Sequence, residues 1–412
     1  MKAVILAAGQ GVRLKPLTNT RPKVMLPVAG RPILWHVLQE AKKAGIKEAV
    51  IIVRYLSEQI KAYLNQHDPG IKLTFVKQGA ENGTAAALLT AEDEINDTFV
   101  TLAGDIVTEA DTIRSVIEAH KKGITLAVKK VPNPHDYGVV ELSGNSVSIF
   151  EEKPEHPKSD LANLSIYCME PTVFHDLKNI PPSPRGEQEL VNLLIGARAV
   201  KTDAFWMDIG YPWNLLDANA YLLDKLDART GDIENSTING KVIMEKGAKI
   251  LDSYIEGNCY IGINSVVGPN AILKGDVALG EGCEVGGSTT VKNSILLDRV
   301  KAKHLSYIGD SVIGSDVNIG SGTQMANFRF DEGHINVRTD RGWVNTGRNK
   351  LGAIVGDHTK FGVLSCTMPG KLIGENCWIS SGVIVNRDIA PHTQVFVKQE
   401  LTEYRGSNPK NK

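Results

Sequence analysis

Arg13 and Lys23 follow a turn through Gly9, Gln10 and Gly11 that closes an apolar run ending in Ala7 and Ala8. Small residues in such a turn let backbone N–H groups approach phosphate oxygens closely. Fixed positive charge beside them would suit a departing pyrophosphate. A glycine-rich turn alone is ordinarily just a turn; the arginine and lysine at this spacing argue for more. The string is not GxxxxGK[ST], so it is not the common nucleotide-binding P-loop. Asp105 ends the apolar run "TLAGD", and Asp208 lies in "WMDIG". An aspartate after a strand is commonly a cap or turn residue. Two carboxylates converging from separate strands would instead suit Mg²⁺ held between phosphates. Far downstream, His304, Ser306 and Tyr307 fall within four positions of a repeating stretch, where a histidine is usually a surface or turn residue.

The elements that must position these groups differ between the two halves. In the first, "AVILAA", "EAVIIVR", "LTFVKQ", "DTFVTLAGD" and "ITLAVKKV" read as strands. "RPILWHVLQEAKKAG", "SEQIKAYLNQ" and "EADTIRSVIEAHKKG" read as helices, with apolar residues three or four apart. This alternation predicts an α/β domain with a mostly parallel, helix-covered sheet, and ligands at the carboxyl ends of its strands. A last helix, "YPWNLLDANAYLLDKLDA", closes a domain over 1–228, and the polar stretch 229–240 reads as a linker.

Beyond it, apolar residues recur every six positions: Ile255, Ile261, Val267, Leu273, Leu279, Val285 and Val291. The pattern returns at Ile313 and Ile319, then at Val355, Phe361, Ile373, Ile379 and Val385, with Thr367 as a miss. This period predicts a parallel β-helix over 241–400, its apolar residues pointing inward at the corners. Residues 325–350 interrupt it as an excursion loop, and 401–412 read as a disordered tail.

The 412 residues suit two cores. A net charge of -1 gives no argument for nucleic acid or a charged membrane surface. Five cysteines without paired spacing make neither a disulfide framework nor a zinc site, and point to a reducing cytoplasm. The N-terminal apolar run is too short to span a membrane and lacks a cleavage pattern, so it reads as a buried first strand.

"LAAGQGVRLKPLTNTRPKVMLPVAGRP" resembles the signature of sugar-1-phosphate nucleotidylyltransferases, LAAGxGTRLxPLTxxxPKxMLPV. Val12 departs from it, standing where the family has a hydroxyl residue. The resemblance covers roughly residues 1–225 and implies a Rossmann-like nucleotidyltransferase domain. It makes Arg13 and Lys23 catalytic, and Asp105 and Asp208 ligands of Mg²⁺. Ala8, Gly9 and Gly11 become nucleotide contacts, joined by Gln78, Gly83 and Thr84 of "VKQGAENGTAAAL", which resembles the base-reading loop. Gly138 of "YGVV", Glu151 and Lys153 of "FEEKP", and Asn163 of "ANLSIY" become sugar-phosphate contacts. Ser165 stands where the family usually has glycine. Glu187 is either a further sugar contact or an ordinary residue at a helix start.

"KAKHLSYIGDSVIGSDVNIGSG" resembles the amino-sugar acetyltransferase segment that follows such a domain in bifunctional enzymes of UDP-N-acetylglucosamine synthesis. That implies a left-handed parallel β-helix of hexapeptide repeats, a homotrimer, and acetyl-CoA bound along its flank. His304 takes the place of the catalytic base. Tyr307, Asn318, Asn327 and Lys350 match substrate contacts, with Asn327 orienting either the histidine or the substrate. Lys274 and Lys292 are either phosphate contacts or solvated surface lysines. Ser321 and Ser381 are candidates near acetyl-CoA. Phe328, where bacterial members have tyrosine, and the long loop 329–349 resemble the archaeal branch.

The expected enzyme therefore acetylates glucosamine-1-phosphate, or galactosamine-1-phosphate, and then joins the N-acetylated product to UTP. The rivals are a nucleotidylyltransferase for glucose- or mannose-1-phosphate with a structural β-helix, and a binding or scaffold protein. Neither nucleic acid nor membrane is an expected partner.

Overall fold

The computed structural model describes residues 1–183, 186–340 and 342–404. In the first half, nine strands form one sheet: β1 Lys2–Leu6, β2 Glu48–Val53, β3 Lys72–Lys77, β4 Phe99–Ala103, β5 Ile124–Lys130, β6 Gly138–Ser143, β7 Ser146–Glu152, β8 Leu161–Met169 and β9 Arg198–Lys201. Their spatial order is β3-β2-β1-β4-β8-β5-β9-β7-β6. The four strands β1 to β4 run parallel to one another. The β-branched and apolar runs of β1, β2 and β4 are buried on both faces, as helix-covered parallel strands require, while the edge strand β3 is only half-buried. The helices Ile33–Lys43, Ser57–Gln66 and Ala110–Ala119 appear where the apolar spacing places them.

The sheet is less parallel than expected. β8 runs antiparallel to β4, β5 and β6, and the hairpin β6–β7 is antiparallel as well. The hairpin strands β6 and β7 are half-exposed and lack the apolar bursts that betray buried parallel strands, whereas β8 is buried along nearly its whole length but has its apolar run broken by Asn163 and Ser165.

The second half is a left-handed parallel β-helix. Among the described residues its short strands stack into three parallel sheets of nine, eight and seven strands. Ile250 aligns with Val267, and Val267 with Val285, so the six-residue repeat builds one column of buried side chains per face. The apolar residues lie within the strands rather than at the corners. The corners carry residues with left-handed backbone, among them Asn264, Asn270, Asn293, Asp310 and Asp316, whose short polar side chains tolerate positive φ. Thr367 points into the core with its hydroxyl unpartnered.

The stretch 229–240 is the first turn of the β-helix, not a linker. Asp232–Glu234 pairs in parallel with Lys249–Leu251, and Thr237–Asn239 with Tyr254–Glu256. Its polar composition reflects a capping rung with only Ile233 and Ile238 packed on the core. The excursion contains an antiparallel hairpin, Asn336–Thr339 with Gly342–Asn345. Residues 405–412 of the expected tail lie outside the described residues.

The two halves share an apolar cluster. Leu26, Ile33, Trp213, Leu216 and Leu223 pack with Tyr260, Ile295, Val312 and Ile354, which project outward from the seven-stranded face. No described helix is long and apolar enough to cross a membrane. The five cysteines are free thiols.

Candidate active sites

Four charged groups converge at the carboxyl end of the parallel strands. β1 ends at Leu6, and the chain turns through Gly11, which is in the left-handed region at φ 72°. A Cβ on Gly11 would lie 2.7 Å from Cβ of Lys23, so glycine lets the turn and the lysine stem meet. Asp105 follows β4, and its carbonyl accepts a hydrogen bond from the N–H of Ile209 at 3.1 Å. The short strands Ile106–Thr108 and Trp206–Asp208 pair antiparallel, with Asp208 opposite Ile106. The two carboxylates are thereby neighbours. Lys23 Nζ hydrogen-bonds Asp105 and lies 3.8 Å from Asp208 Oδ1. Burial works against the lysine's charge, but the two carboxylates outweigh it and raise its pKa. Arg13 packs its guanidinium 5.3 Å from the centre of the Tyr211 ring. Its Nη1 and an Asp208 oxygen both flank Gly210.

Asp105 and Asp208 hold the lysine cation between them, yet each keeps more than a quarter of its side chain exposed. Among the described residues no cluster of three or more His, Cys, Asp or Glu could hold a metal. A partly exposed two-carboxylate set fits Mg²⁺, which usually keeps waters and takes its other ligands from substrate phosphates.

The base-side residues form a folded loop. Gln78, buried, donates from Nε2 to the Glu81 carbonyl at 2.8 Å. Gly83, at φ 114°, has room for no Cβ, because the Gln188 carbonyl lies against it. The Thr84 hydroxyl accepts the Leu190 N–H at 2.9 Å, so it braces the loop rather than pointing free. Ala8 is buried and Gly9 exposed, side by side at the end of β1.

On the sugar side, Glu151 and Glu152 pair across the hairpin with Val139 and Gly138. Glu151 keeps Oε2 buried without a partner. Lys153 has left-handed backbone and donates its N–H to the Tyr137 carbonyl. Asn163 donates to the Tyr167 hydroxyl at 2.7 Å and accepts the Ser165 N–H at 3.2 Å. Glu187 is not at an α-helix start; its carbonyl accepts the Ser183 N–H at 2.8 Å, ahead of the short helix Leu190–Leu193.

In the β-helix, His304 lies at the corner between the strands Lys301–Ala302 and Tyr307–Gly309 and is exposed. Ser321 and Ser381 occupy the same edge on later turns. The Gly322 N–H donates to the His304 carbonyl at 3.3 Å, Leu364 N–H to Ser321 at 2.8 Å, and Gly382 N–H to Val363 at 3.0 Å. Around the corner, Lys274, Lys292 and Gly309 align on successive turns. Asn327 Nδ2 donates to the Tyr307 hydroxyl at 3.2 Å and to Asp310 at 2.5 Å. Asn327 is thus tied to Tyr307 rather than to the histidine. Lys350 pairs with Phe328, its ammonium 5.8 Å from the ring centre. Asn318 stands on the neighbouring sheet, beside Lys301 and Lys360. Lys274 is 3.4 Å from Glu256, an exposed pair.

A nucleotidyl transferase family model matches residues 2–225, and a model described as the GMPPB C-terminal domain matches 255–403. Bifunctional protein GlmU of Methanocaldococcus jannaschii is 40% identical over 97% of this chain and 98% of its own. The bifunctional sugar-1-phosphate nucleotidylyltransferase/acetyltransferase of Sulfurisphaera tokodaii is 40% identical over 94% of this chain and 98% of its own. The chain belongs to the bifunctional nucleotidylyltransferase/acetyltransferase family. A solved Bacillus anthracis structure, assigned as a glucose-1-phosphate thymidylyltransferase, matches with a TM-score of 0.51 at 30% identity, covering 56% of this chain and 98% of that one.

Against the family pattern, Ser165 adopts φ 57°, the conformation that glycine takes at least cost. Three groups escaped sequence reasoning. Tyr137, whose phenol is pushed up to about 12 by burial and by Asp208 and Asp136, touches Trp206. Tyr211 lies under Arg13. Asp310, buried, anchors Asn327 and Asn293. Tyr137 and Asp310 adjoin motif residues, in "DYGVV" and "SYIGD", so only their distance from a named role hid them.

Proposed function

We propose that this bifunctional transferase makes UDP-N-acetylglucosamine: residues 1–228 carry uridylyl transfer and 241–400 carry acetyl transfer. The observation that carries the reading is the presence, in one chain matched end to end by bifunctional relatives, of two separate polar clusters at the family's motif positions.

In the first site, an oxygen of N-acetylglucosamine-1-phosphate attacks the α-phosphorus of UTP in line, and pyrophosphate leaves. No covalent enzyme intermediate is needed. Arg13 and Lys23 neutralise the triphosphate, with the backbone of Ala8, Gly9 and Gly11 beside it. Gln78, Gly83 and Thr84 frame the base. Gly138, Glu151, Lys153 and Asn163 receive the sugar phosphate, Glu151 offering its unpartnered oxygen to a hydroxyl. Asp105 and Asp208 would hold Mg²⁺, which when bound supplies charge neutralisation to the phosphates. Positioning supplies the rest.

In the second site, His304 takes the proton of the glucosamine-1-phosphate amine as the nitrogen attacks the thioester carbonyl of acetyl-CoA, releasing the CoA thiol. Lys274, Lys292 and Lys350 surround the phosphate, and Tyr307, Asn318 and Asn327 the sugar. Ser321 and Ser381 adjoin acetyl-CoA on the His304 edge. That edge exposes Leu305, Val363, Leu364 and Ile384, which supports burial by a neighbouring subunit in a homotrimer. Free thiols support a cytoplasmic setting.

The test incubates purified protein with acetyl-CoA and glucosamine-1-phosphate without nucleotide and follows thiol release. Amino-sugar-dependent release is expected. Its absence, with galactosamine-1-phosphate also tried, would reduce the β-helix to scaffold. Pyrophosphate release from UTP and N-acetylglucosamine-1-phosphate tests the other half.

A further inference from the structure

The segment carrying Lys23 is gripped by the other half of the chain. Asn19, Thr20 and Arg21 precede the lysine and touch the β-helix at three side chains. Arg21 pairs with Asp357, and its Nη2 also lies 3.2 Å from the Ser315 hydroxyl. Thr20 donates its hydroxyl to Asp357 at 2.7 Å, and Asn19 donates to Glu375 at 2.8 Å. The contact is well shielded, with only 15% of the Arg21 side chain and 6% of the Asp357 side chain exposed. Asp357 is itself fixed, its second oxygen accepting the Ser315 N–H at 2.8 Å.

On its other side the same segment is held by its own domain. The Tyr55 hydroxyl donates to the carbonyls of Thr18 and Asn19, and Gln59 donates to that of Thr20. The consequence reaches the reacting end. The Thr18 hydroxyl donates to the Gly11 carbonyl at 2.8 Å, bracing the phosphate-facing turn. Pro22 leads directly into the short helix Lys23–Met25, closed by Met25 N–H to the Pro22 carbonyl at 2.9 Å. One residue, Pro22, therefore separates Arg21 of a buried interdomain ion pair from Lys23, whose ammonium lies between Asp105 and Asp208.

We infer that Asp357 of the β-helix is a positioning residue for uridylyl transfer, acting through Thr20 and Arg21 on Lys23 and the Gly11 turn. The inference rests on the uridylyl-transfer reading above. It makes the β-helix a structural part of the first active site, which no residue of its own acetylation cluster would require.

The experiment measures both activities in the full chain. Asp357→Ala is expected to lower kcat for pyrophosphate release about tenfold, since small misplacements of catalytic groups cost that order of rate. Acetylation by the same protein should stay within about twofold, as Asp357 takes no part in it. Arg21→Met probes the contact from the other side, should Asp357→Ala disturb the β-helix, and the same selective loss is expected. The double variant Arg21→Met with Asp357→Ala should be no slower than its slower single parent, because both remove one interaction. Pyrophosphate release within twofold of wild type in Asp357→Ala or Arg21→Met, additive losses, or equal loss of both activities would overturn the inference. A wild-type protein that releases no pyrophosphate would instead remove the uridylyl-transfer reading, and this inference with it.

Discussion

At the scale of single residues, Lys23 has the clearest physical definition. It is buried, and only its two carboxylate neighbours keep its charge favourable. Its folded pKa is raised, so its contribution to stability is complete below the unfolded lysine value and fades only as pH climbs through the higher folded one. Pyrophosphate release should therefore show no loss from lysine titration across the neutral range. Lys23→Met should lower kcat for that reaction by about 10²–10³, the usual cost of removing one donor to developing charge. A steady-state assay of the variant decides it, with acetylation as an internal control. Asp208→Asn should act in the same direction and weaken the response to added Mg²⁺, read as a rightward shift of the magnesium titration. In the β-helix, His304→Ala should abolish thiol release and spare pyrophosphate release. Undiminished acetylation in that variant would remove His304 as the base.

At the scale of elements, the repeat and its defects explain themselves. Thr367 sits in a buried column between Met325 and Val385 with a hydroxyl that meets no partner. Thr367→Val keeps the shape and removes the buried polar group, and should stabilise the protein by about 1–2 kcal/mol, read as a higher thermal midpoint. The helix Ile33–Lys43 carries a titratable liability instead. His36 donates to the Val28 carbonyl at 2.9 Å, and burial holds its pKa down to about 4. The unfolded chain takes up that proton near 6.5, so stability falls as pH drops from about 6.5 to 4, by up to about 3 kcal/mol, and then levels. Denaturant titrations across that window should show a shallower fall in His36→Gln. Both elements were legible in sequence because their periods are simple. The hairpin strands between 138 and 152 were not, since a half-exposed antiparallel strand has little apolar signal, and the buried strand Leu161–Met169 has its apolar run broken by Asn163 and Ser165. The grouping of Arg13, Lys23, Asp105 and Asp208 was legible for another reason: each alone could be an ordinary turn or cap residue, but all four fall in strings that resemble the family's motifs. Thr84 and Asn327 show the limit, since their hydrogen bonds go to Leu190 and to Tyr307 and Asp310, partners distant in sequence.

At the scale of the whole molecule, the six-residue repeat reports only the inward side of the β-helix. The outward side differs between faces. On the strands Glu284–Val285 and Lys301–Ala302 the residue beside the core position is charged; on Ile295–Leu296, Val312–Ile313 and Ile354–Val355 it is apolar and buried. This doubled apolar pair marks the face on which the nucleotidyltransferase domain sits, and it was present in "SILLD", "SVIGS" and "AIVGD" all along. A face of this kind cannot be left to water without cost. The ion pairs Arg21–Asp357 and Arg348–Asp217 frame the same contact, the second reaching from the excursion to the helix Asn214–Lys225. The two halves should therefore unfold as one cooperative unit. Ile295→Asp places a charge where the native side chain is 2% exposed, in the middle of that contact. Burying an unpaired carboxylate there costs several kcal/mol, on the order of 3–5. Opening the interface avoids that cost at the expense of the apolar contact. Calorimetry should accordingly show one transition in the wild type and two in Ile295→Asp, the domain packed on the face melting apart from the β-helix. Glu284→Ala, on the strand of the face that already meets solvent, should leave a single transition. One unsplit transition in Ile295→Asp at an unchanged midpoint would mean that the halves are coupled by something other than this apolar face.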